Sequence, residues 1–238
     1  SLGSAFGELM VGSSDGKVYS FDPVANAWGL RYTRAAGRPV TALSGCWTYE
    51  AATHSSVPRL AIGLSRPDSN GSALVEVVTS DEVVESTLEC GEPVVASMAE
   101  YRGRLLIATA RAGTGVGGRL LAWEGNSASA GGELTEVASF SDGSPVSMAA
   151  ADGLLWIGLS NGRVAASDGV RAVPAIGLVE LGYGRAPVRA LCDLGGRLFG
   201  AFAGGALGTC ILSREPAAIS GATAGLAGAS GGWALSSY

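Results

Sequence analysis

Apolar residues recur along this chain in short runs, and turn-forming residues close each run. The runs are ELMVGS from Glu8, RLAIGL from Arg59, RLLIAT from Arg104, LLWIGL from Leu154 and RLFGAF from Arg197. Their second residues, Leu9, Leu60, Leu105, Leu155 and Leu198, lie 51, 45, 50 and 43 positions apart. Runs of this length between turn signals predict strands, and no 3.6-residue period competes with them. Each run leads into a turn ending in Asp15-Gly16, Asn70-Gly71, Gly117-Gly118, Asn161-Gly162 or Gly204-Gly205. Such dipeptides accept the positive φ of two-residue hairpins, so Gly16, Gly118 and Gly162 are expected there. Second strands follow: KVYSF, ALVEVV, RLLAWE, RVAAS and ALGTCIL.

Third strands are expected at 28–33, 83–89, 134–140, 174–181 and 217–223. A further marker, G-x-P-V, ends at Val40, Val94 and Val146, with a looser copy ending at Val188. It is read as the start of an outer strand, and the apolar runs as the innermost strands. A degenerate last copy, GGWALSSY, places Trp233 45 residues after Val188. Its strand is expected to pair in the sheet containing Leu9–Ser13. Four short strands per repeat of about 45 residues is the blade pattern of a β-propeller. The fold class is therefore all-β, with 1–238 a single propeller domain of four-stranded blades. The spacing favours five blades; the alternative is part of a ring of six or more.

Within the β-propeller superfamily, SSDGKVYSFDPVANAW (13–28) resembles a kelch or quinoprotein-type repeat, and GLLWIGLSNGRV (153–164) resembles the repeats of two-component-regulator propellers. The chain departs from kelch at 12–13, which reads Gly-Ser, and lacks WD40 and sialidase signatures. The resemblance is thus to the superfamily, over the whole chain.

One motif points elsewhere. Gly113, Gly115 and Gly118 stand in G-x-G-x-x-G spacing. A dinucleotide fingerprint must open a helix, whose N-terminus meets the pyrophosphate. A strand is predicted next, so these glycines are read as a turn and no cofactor is expected.

Hydrophobic residues make up 47% of the 238, sufficient for a large core without metals or disulfides. The 37 glycines match many turns rather than disorder. A net charge of −5 argues against nucleic acid as a partner. No apolar run reaches the about 18 residues of a membrane span, so no membrane insertion is expected. Cys46, Cys90, Cys192 and Cys210 have no zinc spacing and are read as buried free thiols. His54 is the only histidine, which leaves no His-based metal site or hydrolase triad. The cores of these runs, LMVGS, LAIGL, LLIAT, LWIGL and LFGAF, carry no Asp, Glu, His, Lys or Arg, so the paired carboxylates of a glycosidase are missing from the strands expected innermost. No catalytic or metal residues are assigned.

The segment GCWTYEAATHSSVP, 45–58, is longer than its equivalents and carries Trp47, Tyr49, Glu50 and His54. Aromatic residues in a long link suggest a recognition surface, and these four are the expected partner-binding residues. The competing reading buries the two rings beneath the loop. The function expected is a non-enzymatic protein–protein interaction scaffold, a module of a larger protein or complex. A glycan-binding propeller lectin is the alternative, although Trp28, Trp47, Trp123, Trp156 and Trp233 share no phase in the repeat. A glycosidase-type propeller enzyme ranks third. Asn70-Gly71-Ser72 is read as a turn rather than a glycosylation site.

Overall fold

The computed structural model describes the chain except residues 35–37, 51–52, 67–70, 114, 126–132, 152, 171, 178–185, 194–196, 204–206, 212–233 and 238. It forms two compact units, Ser1–Ser139 and Phe140–Tyr238. The first holds three four-stranded sheets. Sheet one is β1 (Leu2–Ala5), β2 (Glu8–Gly12), β3 (Lys17–Asp22) and β4 (Ala27–Thr33). Sheet two is β5 (Val40–Glu50), β6 (Ser55–Leu64), β7 (Leu74–Val78) and β8 (Val84–Glu89). Sheet three is β9 (Val94–Tyr101), β10 (Arg104–Ala110), β11 (Gly118–Trp123) and β12 (Thr135–Phe140). The second unit contains sheet four, β13 (Pro145–Ala151), β14 (Leu154–Leu159), β15 (Arg163–Ser167) and β16 (Ala172–Gly177). Sheet five is β17 (Val188–Asp193), β18 (Arg197–Phe202), β19 (Leu207–Ile211) and β20 (Ala234–Ser237). Among the described residues the strand pairings are antiparallel between chain neighbours, so each sheet is a meander. The chain is an all-β protein built of four-stranded propeller blades.

The phase of the repeat differs from the expected one. The G-x-P-V segments and the looser copy lead into the first strands of sheets two to five, and the apolar runs form the second strands. Within each unit, first strands of successive blades lie beside one another. Thr41 Oγ1 donates to the Val95 carbonyl at 2.6 Å, and Ser147 Oγ donates to that of Val188 at 2.9 Å. The apolar runs are continuous because the second strand is covered on both faces. In β6, Leu60, Ile62 and Leu64 pack with Met10, Val18 and Tyr32 of sheet one, while Ala61 packs with Val95 and Ile107 of sheet three. The expected strand-to-sheet match at the chain's end is also corrected. Ala234–Ser237 pairs with β19, and Leu2–Ala5 supplies the outside partner of β2. Trp233, and the expected strand at 217–223, lie outside the described residues.

A close approach repeats between blades. A Cβ on Gly63 would stand 2.8 Å from Val95 Cγ1, and one on Gly158 2.8 Å from Val188 Cβ. Gly12 meets Val40 in the same way. The valine opening one blade thus enters a socket on the second strand of the blade before it. A β-bulge follows each of these valines: register shifts occur at Val40/Ala42 and Val188/Ala190, with matching shifts in sheets three and four. The extra residue turns the strand as it enters the blade.

The turn glycines are partly as expected. Gly16 has φ 83° and Gly162 φ 82°, but their connections span 13–16 and 160–162 rather than two residues. Gly118 is corrected: it is the first residue of β11, and the left-handed positions are Gly113 and Gly117. A strand and not a helix follows the G-x-G-x-x-G segment. Asn70 and Gly205 lie outside the described residues.

The socket is testable by a double-mutant cycle. Gly63→Ala overfills it, and should cost about 1–3 kcal/mol. Val95→Ala alone should cost about 2 kcal/mol of lost burial. Urea denaturation should show the combined variant at least about 0.5 kcal/mol less destabilised than the sum, because the smaller partner makes room.

Candidate functional site

The segment read as a loop is a long hairpin. β5 and β6 pair from Val40↔Leu64 out to Glu50↔Ser55, whereas β7 pairs only with Leu60–Leu64. The outer half of the hairpin, beyond Arg59, therefore extends past the rest of its sheet as an arm. Alternation along β5 sorts its side chains: Cys46 and Thr48 are buried, Trp47 and Tyr49 exposed. Trp47 is 52% exposed and Tyr49 45%, which sets aside the reading that packs them beneath a loop. Pro58 lies opposite Trp47, and Ser56 opposite Tyr49.

The arm is tied down at its backbone. The Tyr49 amide donates to the Gly125 carbonyl at 3.3 Å, and Gly125 sits at φ 67° with its Cα against the Trp47 carbonyl. A side chain at Gly125 would collide there, its Cβ 2.8 Å from that oxygen. At the tip, the Tyr49 hydroxyl and His54 Nδ1 are hydrogen-bonded at 2.9 Å, and Thr53 Oγ1 donates to Glu50 Oε2 at 2.7 Å. The four residues singled out in the sequence thus share one short hairpin end. His54 takes φ 49° to make the turn.

Beside the arm is a cleft of about 450 Å³. Trp47 and Pro58 form one wall and Phe6, from the β1–β2 turn, is part of its lining. Ser4 and Gly45 of the first strands, Arg59 and Glu100 complete its polar side. The sequence reading missed Phe6, Pro58, Arg59 and Glu100; the clue was the length of the paired segment 40–64, which a hairpin explains better than a loop.

The polar groups here are committed to structure. Arg59, buried, makes a two-pronged contact with Glu85, Nε to Oε2 and Nη2 to Oε1, both at 2.5 Å. Its Nη1 donates to the Pro58 carbonyl at 3.0 Å. Glu85 is thus an anchor for the arm's base. The absence of carboxylates on innermost strands is corrected, because Glu50, Glu100 and Asp193 lie on first strands. Glu100 Oε1 accepts from the Gly103 amide at 2.8 Å. Burial pushes the Cys46 thiol up to about 12, and the Cys90 thiol likewise to about 12. Both stay protonated at neutral pH and are not nucleophiles. Cys192 is exposed, against the expectation of a buried thiol, and Cys210 has no described side chain.

Of the four described tryptophans, Trp28 and Trp47 are exposed while Trp123 and Trp156 are buried, so these four share no common exposure. Among the described residues, no three His, Cys, Asp or Glu side chains cluster as metal ligands. No helix among them is long and apolar enough to cross a membrane.

No protein-family model and no curated protein matches the chain. Solved structures are similar in fold. The β-propeller domain of Myceliophteria thermophila Cps50 (Swd1) superposes with a TM-score of 0.60 at 12% identity, covering 96% of this chain and 67% of that one. The RRP9 WD40 repeats give 0.59 at 13% identity, covering 90% and 63%. BamB from Moraxella catarrhalis gives 0.52 at 13% identity, covering 89% and 60%. The chain therefore spans roughly three fifths to two thirds of these structures, and at such identities the likeness is one of fold: all are β-propellers.

The thiol environments can be checked directly. In a Cys210→Ser background at pH 8, Cys192 should react with a thiol reagent within minutes. Cys46 and Cys90 should react only after denaturant is added. Rapid labelling of either in the folded protein would contradict their burial.

Proposed function

We propose that this chain is a non-enzymatic scaffold that holds a protein partner on the β5–β6 arm. The observation that carries the proposal is the exposure of Trp47 and Tyr49 on one face of a hairpin whose backbone is fixed by Gly125 and whose base is fixed by the Arg59–Glu85 pair. Aromatic rings held this way lose little conformational freedom on binding, and such residues dominate interface energetics. Glu50 and His54 flank them as polar rim groups. In the cleft, Glu100 accepts from the Gly103 amide and the Cys46 thiol stays neutral, which favours docking over catalysis. WD40-type neighbours, which include proteins crystallised as repeat or propeller domains, support the reading at the level of fold alone.

The test separates binding from packing in one variant. Trp47→Ala and Tyr49→Ala should each change folding stability by no more than about 0.5 kcal/mol, as exposed substitutions do. Each should weaken partner binding by about 2 kcal/mol or more, about thirtyfold in Kd. Thermal melts and titration calorimetry on the same samples measure both. A stability loss of about 3 kcal/mol or more would instead make the rings core groups. Unchanged partner affinity would remove the arm from the interface.

A further inference from the structure

Two departures from the repeat meet at one cleft. The first strands of sheets one and three end in the same kind of turn: Phe6-Gly7 has φ 54° and 80°, and Arg102-Gly103 has 53° and 74°. Both central residues of such a turn take positive φ, which suits Asn, Asp or Gly and makes a bulky aromatic costly. Phe6 holds that position nonetheless. In sheet two the β5–β6 arm replaces the turn and carries Trp47. Phe6, Trp47 and Pro58 line the same cleft of about 450 Å³, a size within the about 300–1,000 Å³ of ligand sites.

The charge in this cleft is unbalanced. Among the described lining residues Arg59 is the cation, and its guanidinium fork is taken by Glu85. Glu100, reaching in from β9, is the carboxylate of the lining. Its Oε1 accepts from the Gly103 amide, a bond that holds the group in place without neutralising it. The Cys46 thiol in the same lining is pushed up first by burial; Arg59 then lowers it, and Glu100 and Glu85 raise it. Two negative charges thus act there against one positive. The faces of the Phe6 and Trp47 rings are themselves electron-rich. An anion is repelled by this set, and an apolar insert would strip water from Glu100 and return nothing for it.

We infer that the cleft takes a cationic side chain, lysine or arginine, from the protein partner docked on the arm. Its aliphatic stem lies along Trp47, Pro58 and Phe6, and its charged head meets Glu100, the division such amphipathic side chains make between apolar wall and polar end. The inference rests on the arm's docking role and adds what the partner must present beside it. Tyr49 belongs to the arm but not to the cleft lining, so the two readings can be told apart.

The test uses the full 1–238 chain and blocked short peptides with arginine, lysine, citrulline or norleucine between glycines. NMR shifts locate the peptide, and their titration gives Kd. The arginine peptide, the lysine peptide or both should shift the Trp47 indole and Phe6 amide signals. The neutral citrulline and norleucine peptides should bind at least about tenfold more weakly. Glu100→Gln keeps an acceptor for the Gly103 amide, so the melting temperature should stay within about 2 °C while the cationic peptide binds at least about fivefold more weakly. Tyr49→Ala should leave the peptide's Kd within about twofold. No shift at Trp47 and Phe6 with either cationic peptide would overturn the inference. So would equal binding of the neutral peptides, which makes the cleft a reader of shape and not of charge, or a cationic peptide indifferent to Glu100→Gln. Failure of the arm looks different: partner affinity is then unchanged by Tyr49→Ala. That result removes the partner as the source of the cation while the peptides still report the cleft's preference for charge.

Discussion

The contact between a blade's second strand and the valine that opens the next blade governs how these sheets stack. Gly63 receives Val95, Gly158 receives Val188 and Gly12 receives Val40, each at a distance that leaves no space for a side chain on the glycine. Several other features follow from that approach. The preceding proline turns the chain inward, and its carbonyl accepts the amide at the end of the second strand, as Pro39 does from Ser65 at 3.1 Å and Pro187 from Ala203 at 2.9 Å. The bulge after the valine then aims the first strand along its neighbour, close enough for Thr41 to reach the Val95 carbonyl. With neighbours this near on both sides, β6 has no solvent face over Leu60 to Leu64, which is why that stretch is apolar throughout. Its larger side chains face one neighbour and its smallest the other, as interdigitating layers require.

That arrangement explains what could be read from the sequence and what could not. Most strands, the repeat length and the four-stranded blade were visible, because each depends on local pattern and turn chemistry. The phase of the repeat was not. A continuous apolar run such as RLAIGL is expected wherever a strand is covered on both sides, and the innermost strand is only one such place. Here the innermost strands are the more polar ones, TALSGCW and VASMAEY among them. Leu2–Ala5 could not be placed as the first strand of sheet one, because four residues with two small side chains carry too little pattern. At Gly117-Gly118 composition alone could not say which glycine takes the left-handed conformation; the paired backbone of β11 decides it.

The candidate site was legible in part. Trp47, Tyr49, Glu50 and His54 stood out because they interrupt the repeat, and they do converge on one hairpin end. Their backbone supports, Gly125 and the Arg59–Glu85 pair, were invisible because they come from distant stretches of chain. Chemistry and exposure then divide the molecule. Titratable groups near the cleft are paired or kept neutral, while the largest aromatic side chains left in water lie on the arm and on sheet one. Exposed apolar surface of this kind is what interfaces cover.

The stacking contact can be observed without perturbing it. In a sample with labelled valine methyl groups and glycine α-protons, nuclear Overhauser spectra should show cross-peaks between Val95 and Gly63, between Val188 and Gly158, and between Val40 and Gly12, all of them intramolecular. Absence of these cross-peaks from a folded sample, or contacts from the three valines to residues of their own sheet in place of the glycines, would contradict the stacked-blade account.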